Sequence, residues 1–103
     1  MCRSGNCFVN LTMPKLAYID SFIVYIFAYD IHERLHVHVA EGSQVTKRAA
    51  KFWLEPDVEV FDVGSLTDKE VRIIRERLEE HQEELVSLIK GFALGIKVKS
   101  LII

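Results

Sequence analysis

With 103 residues, half of them hydrophobic, the chain is long enough to bury one core and too short for two. A formal charge of −2 sets up no overall field toward nucleic acid or an anionic membrane, so any such binding has to come from a local patch. The longest apolar stretch, Phe22 to Tyr29, falls far short of the ~20 residues that span a bilayer, and Asp20 and Asp30 bracket it.

The opening Met1-Cys2-Arg3-Ser4-Gly5-Asn6-Cys7 lacks a long apolar run ending in small residues, so no secretory leader is expected and the expected location is the cytoplasm. Reducing conditions there would keep Cys2 and Cys7 as thiols. A lone C-x4-C without neighbouring ligands reads as incidental rather than as a metal or redox pair. Regular patterning begins at Met13-Pro14. Residues 1–12 are therefore expected to form a flexible N-terminal extension, and residues 13–103 a single α+β domain.

Leu16 to Tyr29 is dense in β-branched and aromatic residues and apolar on both faces, the pattern of a central strand covered on both sides. Asp30 to Arg34 reads as a connection and Leu35 to Glu41 as a second strand. After the turn signal Gly42-Ser43, a third strand is expected over Gln44 to Leu54. It places Arg48, Ala50, Phe52 and Leu54 on one face and Lys47, Ala49, Lys51 and Trp53 on the other. Pro56-Asp57 breaks it, and Val58 to Val63 returns as a short fourth strand; connections this close favour an antiparallel meander.

Thr67-Asp68-Lys69-Glu70 has the form of a capping box, flanked by Leu66 and Val71 at the positions of a hydrophobic staple. Val71, Ile74, Leu78, Leu85 and Leu88, with His81 in the gap, make a stripe that predicts one continuous helix stopping at Gly91. The opposite face, with Arg72, Arg75, Glu76, Glu79, Glu80, Glu83 and Glu84, reads as solvated, with pairs such as Arg75 and Glu79. After Gly95 the tail from Ile96 to Ile103 alternates enough for a fifth strand that pairs with a sheet edge or a second subunit. The expected architecture is α+β: an antiparallel sheet of four or five strands with one long C-terminal amphipathic helix packed on one face.

Three of the four histidines, His32, His36 and His38, fall within seven residues. In a strand, His36 and His38 project from one face and Leu35, Val37 and Val39 from the other. One reading is structural, with the two rings packed on a partly exposed sheet face and His81 hydrogen-bonded at the helix–sheet interface. A second is a divalent metal site, such as zinc: His36 and His38 offer two nitrogen ligands from Cα atoms about 7 Å apart, and His32, Glu41 or His81 would complete the set. A third is ribonuclease-like acid–base catalysis by His32, His36 and His38. There a neutral imidazole takes the ribose 2′-hydroxyl proton and a protonated one gives a proton to the leaving oxygen. Arg34, Lys47, Arg48 and Lys51 would hold phosphate, and Trp53 and Tyr25 would stack on an unpaired base.

The arrangement of Met13-Pro14, the apolar strand Phe22 to Tyr29, His32 with His36-Val37-His38, and the helical His81-Gln82-Glu83-Glu84-Leu85 resembles the family of small bacterial and archaeal proteins known as domain of unknown function 4160. The resemblance spans about residues 13–92. Arg34 and Leu35 stand where the family carries two prolines, which removes a rigid approach to the second strand. The resemblance implies a protein encoded beside a small cognate partner, in the manner of the toxin-like member of a toxin–antitoxin module. It implies no catalytic residue. A non-enzymatic alternative needs no active site: an interaction module, or a homodimer, that docks a small partner through its sheet edge and apolar C-terminal tail.

Overall fold

The computed structural model describes residues 14–27, 34–42 and 48–103. The expected N-terminal extension with its two cysteines, the connection around His32, and the start of the expected third strand with Lys47 lie outside those residues. Among the described residues six strands, β1 (Lys15–Ile19), β2 (Phe22–Tyr25), β3 (His36–Glu41), β4 (Ala50–Trp53), β5 (Glu59–Asp62) and β6 (Leu101–Ile102), make one sheet in the order β5-β4-β3-β2-β1-β6. Neighbours are antiparallel from β1 to β5, while β6 runs parallel to β1. The fold is α+β with a mixed sheet, so the purely antiparallel sheet of four or five strands is corrected.

The extra strand comes from the first apolar segment, which divides into the β1–β2 hairpin. Asp20 turns the chain at φ 51°, a left-handed conformation that Asp tolerates better than most side chains, and Ser21 follows it. The Ser21 carbonyl accepts from the Gly42 amide at 2.6 Å, which fixes the hairpin against the end of β3. An apolar run on both faces conceals such a turn, because neither arm shows a polar side.

The single long helix is also corrected. Two helices, α1 (Asp68–Glu80) and α2 (Gln82–Ala93), meet at His81, whose φ of −115° and ψ of 21° bend the axis. The turn is not lost, since His81 still donates to the Arg77 carbonyl and accepts from the Leu85 amide. Beside it the Gln82 amide nitrogen donates to the carbonyls of Leu54 and Pro56, anchoring the bend to the end of the sheet. Past the bend the buried positions become Leu85, Val86 and Ile89, with Leu88 only partly buried.

The capping box forms as expected: the Thr67 hydroxyl accepts from the Glu70 amide at 3.2 Å and the Thr67 amide donates to the Glu70 carboxylate at 2.9 Å. Gly91 does not stop the helix. The terminator is Gly95 at φ 88°, where the Ile96 amide donates to the Gly91 carbonyl and the Gly95 amide to that of Phe92, a Schellman motif.

Both helices cover one face of the sheet. Ile74, Leu78, Leu85 and Ile89 join Leu16, Val24, Val37, Val39, Phe52 and Leu54 in one buried cluster. By strand alternation, His36, His38 and Trp53 are left on the face away from the helices. Crossing that sheet, the helix pair carries the chain from the β5 edge to the β1 edge, where β6 is added. Among the described residues no helix is long and apolar enough to cross a membrane.

Candidate functional site: an aromatic and histidine ladder on the face opposite α1 and α2

Strand register builds the site. Tyr25 stands opposite His38 and His38 opposite Lys51, while His36 stands opposite Trp53. Directly opposed side chains on one face are close enough to touch, so rings on β2, β3 and β4 form rows. A bulge then extends the rows to β5: Lys51 faces Asp62 and Phe52 faces Val60, leaving Phe61 as the extra residue. Phe61 reaches the Trp53 ring on the face opposite α1 and α2 and is 59% exposed.

The result is a continuous chain of rings. Tyr25 stacks on His38 with centroids 5.5 Å apart and planes 24° apart, and Phe27 meets His38 edge-on at 5.0 Å. His38 meets His36 at 5.2 Å, His36 meets Trp53 at 5.6 Å, and Trp53 meets Phe61 at 5.1 Å, each edge to face. Two cations cover the outer end: the Arg34 guanidinium lies 4.5 Å from the Trp53 centroid, and the Lys51 ammonium lies 4.9 Å from Trp53 and 4.8 Å from Phe61. Arg34 is braced by a 2.7 Å hydrogen bond to the Glu55 carbonyl and an ion pair with Glu59 at 3.5 Å.

The two imidazoles are not equivalent. His36 is only 2% exposed, and its Nδ1 lies 2.7 Å from the Arg34 carbonyl oxygen. A carbonyl only accepts, so Nδ1 carries a proton, and in the neutral ring the lone pair sits on Nε2. His38 is half-buried and is the imidazole nearer to solvent. Burial pushes the Tyr25 phenol above its ordinary value where it stacks on His38.

The structure brings together Arg34, His36, His38, Lys51 and Trp53 from the sequence-expected set, with Tyr25. It places Arg48 elsewhere. Arg48 donates to the Asp62 carboxylate at 2.6 Å and lines a small cleft with Glu41, Leu66 and Glu70 on the helix side. Glu41, by alternation along β3, belongs to the Val37 and Val39 side, and His81 pairs with Glu84 at 2.7 Å in the helical layer. Neither joins His36 and His38. Among the described residues no group of three or more His, Cys, Asp or Glu side chains is placed to hold a metal ion. Phe27 and Phe61 were missed as members of the site. The exposed-side sequence Glu59, Phe61, Val63 carries the one available signal for Phe61, a large ring out of phase with the buried Val58 and half-buried Val60.

The Arg48–Asp62 pair supplies a pH test. The Arg48 hydrogen bond, helped by the Gly64 amide, holds the Asp62 carboxyl below the ordinary carboxylate value. A depressed folded-state value stabilises the fold above the unfolded-state value, and that contribution is lost as pH falls through the folded one. Asp62→Asn is therefore expected to lower stability near pH 7, with the gap to the parent protein closing below about pH 4. Urea melts across that range check it, and a pH-independent gap would refute it.

These features define a small α+β protein with a mixed sheet, helices on one face and a ring ladder with two cations on the other. The chain belongs to the family described as domain of unknown function (DUF4160), whose model matches residues 21–87. That span takes in β2 to β5, α1 and half of α2, and with them His36, His38, Lys51 and Trp53. Neither the curated proteins nor the solved structures yield a match.

Proposed function

We propose that the sheet face opposite α1 and α2 binds single-stranded RNA, and that the protein is the RNA-engaging, toxin-like member of a two-protein module. The observation that carries the reading is the outer end of the ladder, where Phe61 and Trp53 lie beside the Arg34 and Lys51 cations. Aromatic faces take unpaired bases whatever their sequence, and adjacent cations take the phosphates between them. A patch of this kind does not need a basic chain, which accommodates the formal charge of −2. The burial of His36 supports a role in holding the ladder in place, and His38 is the imidazole that would meet bound RNA.

Trp53 is the sole tryptophan, so its emission reports on the site directly. Titration with an unlabelled single-stranded oligoribonucleotide is expected to quench it saturably, with affinity falling as salt rises. Removing one stacking ring by Phe61→Ala is expected to weaken binding about tenfold, within the ~1–3 kcal/mol that a base–aromatic contact contributes. Emission unchanged by RNA at low salt, or equal affinity in the Phe61→Ala variant, would sink the proposal.

A further inference from the structure

We propose that the β6 edge of the sheet receives an extended, acidic segment of a partner protein by strand addition, independently of the ladder. Among the described residues only one side of β6 is paired. The Ile103 amide donates to the Tyr18 carbonyl at 2.9 Å, and since successive strand residues turn their backbone groups to opposite sides, the amide and carbonyl of Ile102 look outward. Among the described residues nothing pairs with them, and the Ile102 side chain is 90% exposed. Opposite Ile102 in register stands Tyr18, also at the surface, so the edge offers an apolar row beside its free backbone groups.

The approach to β6 is basic. Lys15, Lys97 and Lys99 are grouped along β1 and the segment leading into β6, and none of them takes part in an ion pair among the described residues. The Ser100 hydroxyl, donating to the Lys15 carbonyl at 2.6 Å, ties these two segments together. In a chain with two more acidic than basic residues, three uncompensated lysines at one edge favour a carboxylate-bearing strand. Lysines also guard edges against self-pairing, and the same charges that repel a second copy of this edge admit an acidic one.

The test uses the full chain and a fluorescein-labelled peptide that alternates Glu with Val or Ile. Three controls accompany it: a peptide with Lys in place of Glu, one with Pro at alternate positions to remove backbone donors, and a single-stranded oligoribonucleotide as competitor. The acidic peptide alone is expected to raise anisotropy saturably, with the double variant Lys97→Glu, Lys99→Glu weakening it about tenfold or more. Ile102→Asp is expected to weaken it as well, and the Phe61→Ala variant to bind it as the parent does. Equal binding of the Lys or Pro peptides, no binding of the acidic peptide, or displacement by RNA would each overturn the proposal. Displacement by RNA would make the edge a phosphate patch instead.

Discussion

Phe52→Ala is expected to remove about 3–5 kcal/mol of stability and to lower the melting temperature by roughly 20 °C. Phe52 has 0% exposure and is the bulkiest of the fully buried side chains. It sits on β4 with Val37 opposite on β3 and Val60 opposite on β5, directly under the helices. Truncation there leaves a void walled by regular strands, which cannot collapse into it as a loop could. For a domain of this size the loss is a large share of a total near 5–15 kcal/mol. Thermal melts followed by circular dichroism check the value, and a fall of only a few degrees would show that the helices close over the gap.

Gly64→Ala is expected to cost about 3 kcal/mol, against about 1 kcal/mol for Gly42→Ala. Both glycines have left-handed backbones, at φ +56° and +45°, so an added side chain is strained in each. Their surroundings differ. A Cβ on Gly64 would lie 2.6 Å from the Arg48 and Ala49 carbonyl oxygens, which are backbone atoms, whereas on Gly42 the nearest atom among the described residues, the Ser21 carbonyl oxygen, is 3.6 Å away. The Arg48 carbonyl cannot retreat freely, because it accepts from the Ser65 amide at 3.0 Å. Parallel urea melts of the two variants separate the contributions; equal losses would mean that the turn after β5 shifts to make room.

Alternation and local chemistry were enough to read the parts of the fold that depend on near neighbours. The side-by-side placement of His36 and His38, the buried row of Ala50, Phe52 and Leu54, and the Thr67–Glu70 box each follow from a spacing of two or three residues. Alternation had also separated Arg48 from Lys51, although the two were grouped as phosphate ligands; the structure sets Lys51 against Trp53 and Phe61 and Arg48 against Asp62. What the sequence hid depends on distant partners or on irregularities. The parallel pairing of β6 comes with contacts such as Ser100 to Lys15 across 85 residues, the bend at His81 is anchored by carbonyls 26 and 28 residues away, and the bulge that sets Asp62 rather than Phe61 opposite Lys51 is a departure that strict alternation does not contain.

The segment between β4 and β5 is gripped from both sides. Gln82 holds the carbonyls of Leu54 and Pro56 from the helical layer, and Arg34, itself lying over Trp53, holds the Glu55 carbonyl between them. Three consecutive backbone acceptors are thus fastened alternately to opposite layers, like a rivet driven through two plates. A displacement of Arg34 at one surface strains the same short piece of backbone that Gln82 clasps at the other, so the two surfaces are mechanically joined at this point.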